Sequence, residues 1–221
     1  MSDTSRFAAA VRGYRDEIAA ARQISDDDLS ATGVAARQRA AVDAARARLL
    51  AAVPPLPESG TSRVEVLASL AATSADEIAR MQHEQTKVRA LLDAGRPLGQ
   101  IIAEADDVRA LAIADLVEIL PQVLESRSGA EIVAEVRGLV FERLANLGIE
   151  SAARVRTAEQ QSAPLIAWRR VMTEAAEGSD ASIAAWQDVY RVDADGYATA
   201  REGIDGNVDE WVRQLDLAMK E

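Results

Sequence analysis

Residues 4–24 read TSRFAAAVRGYRDEIAAARQI. Phe7, Val11, Tyr14, Ile18 and Ala21 recur at alternating steps of four and three. On an α-helix these positions fall on one narrow side, the pattern of a coiled-coil seam. Arg12, Arg15, Asp16, Glu17 and Arg22 fill the other faces. A strand, with its period of two, cannot sort these residues onto one side. The stretch therefore reads as a helix from Thr4 to Ile24. Phe7, Val11, Tyr14 and Ile18 read as an interaction stripe, covered by another helix.

Ser25-Asp26-Asp27-Asp28 interrupts this helix, and its carboxylates suit the positive end of the next one. A second helix is expected from Ser30 to Val53. Its bulk is thin, with Val34, Val42, Leu49 and Leu50 separated by alanines. Residues 1–53 thus read as a helical hairpin too lean to hold a large core alone. Its stripe must pack on the rest of the chain, on a second copy or on a partner. Pro54-Pro55-Leu56-Pro57-Glu58-Ser59-Gly60 cannot continue a helix, and 54–61 reads as a linker. Charge changes across it. Residues 1–53 hold 8 Arg against 7 acidic residues, and residues 54–221 hold 17 basic against 29 acidic.

Residues 62–221 read as the main helical bundle. Ser62-Arg63-Val64-Glu65 has the form of a capping box, with the hydroxyl taking the third amide and the carboxylate reaching back. The pattern recurs at Ser74–Glu77, at Ser128–Glu131 and, with Asn, at Asn207–Glu210. A second narrow stripe (Val64, Leu67, Ala71, Ser74, Ile78, Met81, Gln85, Val88, Leu92) predicts one long helix, or two joined near Thr73. Gly95 stops it and Pro97 suits the next first turn. Residues 98–126 and 131–147 carry wider apolar stripes and read as the central helices, the first kinked or divided at Pro121 and the second ended by Gly148. Further helices are expected over 150–176 (kinked at Pro164), 180–191, 197–202 and 208–220.

Composition agrees with an all-α fold, an N-terminal helical hairpin plus a multi-helix bundle. Of 221 residues 45 are Ala, and aromatics make up only 4%. The absence of Cys excludes disulfides and thiolate metal sites, and the single His excludes any site needing two imidazoles. A net charge of −11 argues against general nucleic-acid binding. The first residues carry no cationic segment followed by a long apolar run, and no window approaches a membrane span. A cytoplasmic location is expected.

His83 belongs to no His-Glu-x-x-His pattern and reads as a solvent-facing helical residue. Phosphate-cradling glycine loops are absent. Glu104-Ala105-Asp106-Asp107 reads as a solvated acidic face. Residues 191–202, RVDADGYATARE, resemble a degenerate calcium-binding EF-hand loop. Asp193 and Asp195 take its third and fifth positions, Gly196 its sharp turn, Tyr197 a carbonyl position and Glu202 the bidentate end. Arg191 stands where the first carboxylate belongs, and the competing reading is an acidic Asp-Gly turn between helices. Trp168, Trp186, Trp211, Tyr190 and Tyr197 read as core residues.

No catalytic residue, cofactor or nucleic-acid partner is expected. The two narrow stripes point to a non-enzymatic protein working through helix association, with itself or with a protein partner. The alternative is a small-ligand or calcium-responsive sensor built on residues 191–202 and the tryptophans. The opening, with Tyr14-Arg15-Asp16-Glu17-Ile18, then acidic residues, then Leu29-Ser30-Ala31-Thr32-Gly33 and an Arg/Ala-rich helix, resembles helical virion-assembly proteins of tailed phages of high-GC bacteria. The resemblance spans about the first 50 residues. It implies a scaffold-type, virion-associated role and identifies no functional residues.

Overall fold

The computed structural model describes residues 4–57, 60–178 and 180–202. The helix expected over 208–220, its cap at Asn207–Glu210 and Trp211 lie outside the described residues. Within them the chain is all-α, with eleven α-helices, one 3-10 turn and no strand. It forms two compact units, one of residues 1–58 with 160–221, the other of residues 59–159. This grouping corrects the expected division into 1–53, 54–61 and 62–221.

The first unit begins with the hairpin of α1 (Ser5–Arg22) and α2 (Ala31–Ala51), whose turn is closed by Ser30 capping the Gly33 amide. It continues with residues 160–177 of α9 (Glu150–Glu177), then α10 (Ile183–Val192) and α11 (Ala194–Arg201). Trp168, Val171 and Met172 of α9 and Trp186 and Val189 of α10 share one core with the α1 stripe and with Val42, Ala45 and Leu49 of α2. The lean hairpin thus borrows its bulk from the far end of the chain. Alanines at the α1–α2 seam leave room for close helix approach. Pro54 is buried here, its carbonyl taken by Arg169 Nη1 at 2.8 Å, while Pro55 and Leu56 beyond it are exposed.

A polar clamp completes this unit. The Asp180 carboxylate accepts from Arg15 (2.7 Å), Arg201 (3.0 Å), the Trp186 indole (3.1 Å) and the Ala181 amide (2.8 Å). Arg15 also donates to the Ala200 carbonyl, and the Tyr14 hydroxyl to Ala175. One acidic residue thereby ties α1, α10 and α11 together.

The second unit holds α3 (Arg63–Ser69), α4 (Ala75–Asp93), α5 (Leu98–Glu104), α6 (Asp107–Leu116), α7 (Pro121–Leu124), α8 (Gly129–Asn146) and the first residues of α9. Ser62 and Ser74 form the expected capping boxes with Glu65 and Glu77. The 64–92 stripe is divided between α3 and α4 at residues 70–74. Ser128 precedes α8 but makes no side-chain cap: its backbone (φ −100°, ψ 24°) is not in the extended region typical of a capping serine.

Gly95 and Gly148 both adopt φ +82°. Each ends its helix in a Schellman motif, with the Arg96 amide on Leu91 and the Ile149 amide on Leu144. Residues 98–126, read as one helix broken only at Pro121, are in four pieces: α5, α6, a 3-10 turn over Val117–Ile119 and α7. The additional break lies at Ala105. Asp106 there is an N-cap accepting from the Arg109 amide, and Arg143 takes the freed Ala105 carbonyl at 2.8 Å. Phe141, Leu144, Ile113 and Leu116 anchor the core between α6 and α8. Pro164 sits inside α9, which continues through it, and the boundary between the two units falls at residue 160, the position whose carbonyl Pro164 cannot bond.

Candidate functional site

The stripe expected to meet a partner is already covered. Phe7, Val11, Tyr14 and Ile18 are at most 4% exposed and lie in the core of the first unit. As an external interaction stripe it is corrected: α2, α9, α10 and α11 cover it within the same chain.

The calcium-loop geometry is replaced by a helix. Residues 194–201 are α11, and Gly196 lies inside it without the positive φ of an EF-hand turn. Asp193 is the N-cap, accepting from the Gly196 amide (3.0 Å) and from the Trp168 indole (2.8 Å). Burial pushes its carboxyl up, but hydrogen bonds from Thr4, Trp168 and Gly196 outweigh this and hold it below the ordinary value. Tyr197 stacks edge-on against Trp186 and Tyr190. Glu202 accepts from Arg12 at 2.9 Å. Asp193, Asp195, Tyr197 and Glu202 therefore serve a helix cap, a helix face, an aromatic cluster and an ion pair. No group of three His, Asp or Glu that could hold a metal occurs among the described residues.

The second stripe is different. Val88 is buried and Met81 and Leu92 are half-buried, whereas Val64 is 69% and Ile78 44% exposed. Beside Met81 lies an open groove of about 430 Å³. Its apolar lining is Leu70, Ala71 and Ala72 from the α3–α4 connection, Met81 from α4, and Val108 and Leu111 from α6. Leu70, Met81, Val108 and Leu111 are all half-buried. Two hydrogen bonds join the α4 and α6 walls. Arg109 of α6 donates to Glu84 of α4 at 2.8 Å, and Gln85 of α4 to Asp115 of α6 at 2.7 Å. Hydrogen bonds from Lys87 and Arg109 hold the Glu84 carboxyl below its ordinary value against the opposing effect of burial.

Two charged residues line the groove, Glu77 and Arg80. Glu77 is committed to the start of α4, accepting from the Ser74 and Thr73 amides at 3.0 and 3.1 Å. These bonds, the Ser74 amide first, lower its carboxyl from 4.5 to about 2. Arg80 is exposed, and no carboxylate pairs with it among the described residues.

A pH dependence follows from the cap. A carboxyl whose folded value is depressed adds stability above 4.5, which is lost as pH falls toward about 2. In ¹³C NMR the Glu77 side-chain carboxyl should titrate near the lower value, and Ser74→Ala should move it back up. A wild-type midpoint at the ordinary carboxylate value would contradict the cap.

The groove was not foreseen from sequence. Val108 and Leu111 belong to the broad stripe read as central core, and Leu70 sits on neither stripe. The local signal was Ile78 and Met81, two bulky residues on the seam of a helix that buries little else. No family model, curated protein or solved structure matches the chain. Among the described residues no helix is long and apolar enough to cross a membrane.

Proposed function

We propose that this chain is a non-enzymatic helical interaction protein, of assembly or scaffold type, that binds another polypeptide through the groove between the α3–α4 connection and α6. The observation that carries this reading is the groove itself: four half-buried apolar side chains on walls pinned by Arg109–Glu84 and Gln85–Asp115. The cleft is mixed: Ser69, Thr73, Glu77 and Arg80 stand beside its six apolar residues, and polar groups set among apolar walls are what fix the orientation of a bound chain. Open at the surface beside exposed Ile78, it suits the apolar face of an amphipathic segment laid along α4. The N-terminal resemblance to virion-assembly proteins supports the same class of role, and with it a virion-associated setting.

Panning a displayed library of helical peptides against the full chain tests this. Enriched peptides should bind the wild type and bind Leu111→Asp and Met81→Glu about tenfold or more weakly, a loss of about 1.4 kcal/mol. Enriched peptides that bind all three proteins equally, or no enrichment at all, would refute the assignment.

A further inference from the structure

We propose that the occupant of this groove is an acidic amphipathic segment of a partner protein, one that sets a carboxylate against Arg80 while its apolar side chains enter between Met81 and Leu111. This rests on the groove being a docking surface and adds the chemistry of what docks. Only two lining residues are charged, and their charges are not equally available. The Glu77 carboxylate is turned onto the Ser74 and Thr73 amides, where it balances the positive end of α4. Arg80 stands three residues on, exposed and without a carboxylate of its own among the described residues.

A ligand covering the groove draws water away from this guanidinium. A carboxylate offers it two parallel hydrogen bonds, while a neutral or basic segment leaves it unpaired or opposed. The net charge of −11 disfavours acidic partners at long range. That repulsion is screened beyond about 8 Å at physiological salt, so the short-range match to Arg80 decides. Met81 adds tolerance, since an unbranched thioether repacks around differing apolar side chains.

The test uses two fluorescein-labelled helical 18-residue peptides, one of Leu, Ala and Glu and one of Leu, Ala and Lys, titrated into the full chain at 150 mM salt. Binding is counted as the part lost in Leu111→Asp, with Met81→Glu as a second blocking variant and circular dichroism confirming that each folds. The Glu peptide should bind about tenfold tighter than the Lys peptide, and Arg80→Glu should invert that order. Groove-specific binding of both peptides that ignores Arg80→Glu would overturn the acidic occupant while leaving the docking surface intact. A groove-specific preference for the Lys peptide in the wild type would overturn it too. Absence of groove-specific binding by either peptide would overturn both this proposal and the function on which it rests.

Discussion

Val11→Asp is expected to unfold the unit formed by residues 1–58 and 160–221. Val11 is 0% exposed and lies in a core with Trp168, Val171 and Met172. A carboxylate there loses its water and meets an apolar surround. The cost is several kcal/mol, of the order of the whole stability of a typical domain. The readout is direct, because Trp168 and Trp186 lie in this core and residues 59–159 contain no tryptophan. Trp168 and Trp186 meet edge-on at 6.2 Å, so near-ultraviolet circular dichroism reports their packing. The variant should lose that signal, or unfold at far lower urea than the wild type. If the α1 stripe faced outward as a docking surface, the same substitution would leave the signal intact and abolish only association.

Phe141→Ala should destabilise the other unit by about 3–5 kcal/mol, the usual range for emptying a buried phenylalanine site. Phe141 is 0% exposed and is the only aromatic residue in 59–159. Its neighbours in the core are aliphatic, including Val136, Val140 and Leu144, and α6 and α8 meet around it. The ring also lies 4.6 Å under the Arg63 guanidinium, itself held by Glu159 and Glu142. Losing that cation–π contact adds about 0.5–1 kcal/mol. Amide hydrogen exchange in α8 should accelerate by at least a hundredfold, the equivalent of about 2.7 kcal/mol. A change under tenfold would show that the ring does not anchor this core.

What sequence revealed here was local, and what it missed was nonlocal. The all-α class, the hairpin of α1 and α2, the boxes at Ser62 and Ser74 and the glycine ends at Gly95 and Gly148 depend on residues within one or two turns of each other. Each was readable for that reason. Part of the cover of the α1 stripe comes from Trp168 and Trp186, about 150 or more residues away in the chain. Periodicity shows that a face is apolar and leaves open which helix meets it. Asp106 was read as part of a solvated face, yet it caps α6, because only Arg143 arriving from α8 satisfies the carbonyl freed at Ala105. Asp193 and Gly196 fit a calcium loop in spacing and fit a helix cap equally well; the Trp168 indole on that carboxylate separates the two. The groove depends on Leu70, Met81 and Leu111 converging from three separate segments, and no window of sequence contains that convergence.

Methyl-labelled methionine NMR tests the docking groove most directly. The chain has four methionines: Met81 lines the groove, while Met172 is fully buried in the other unit and serves as the internal control. Adding the Glu-rich helical peptide should move the Met81 methyl signal in a saturable way and leave Met172 in place. A Met81 signal unmoved at saturating peptide, or a response confined to Met172, would contradict the account.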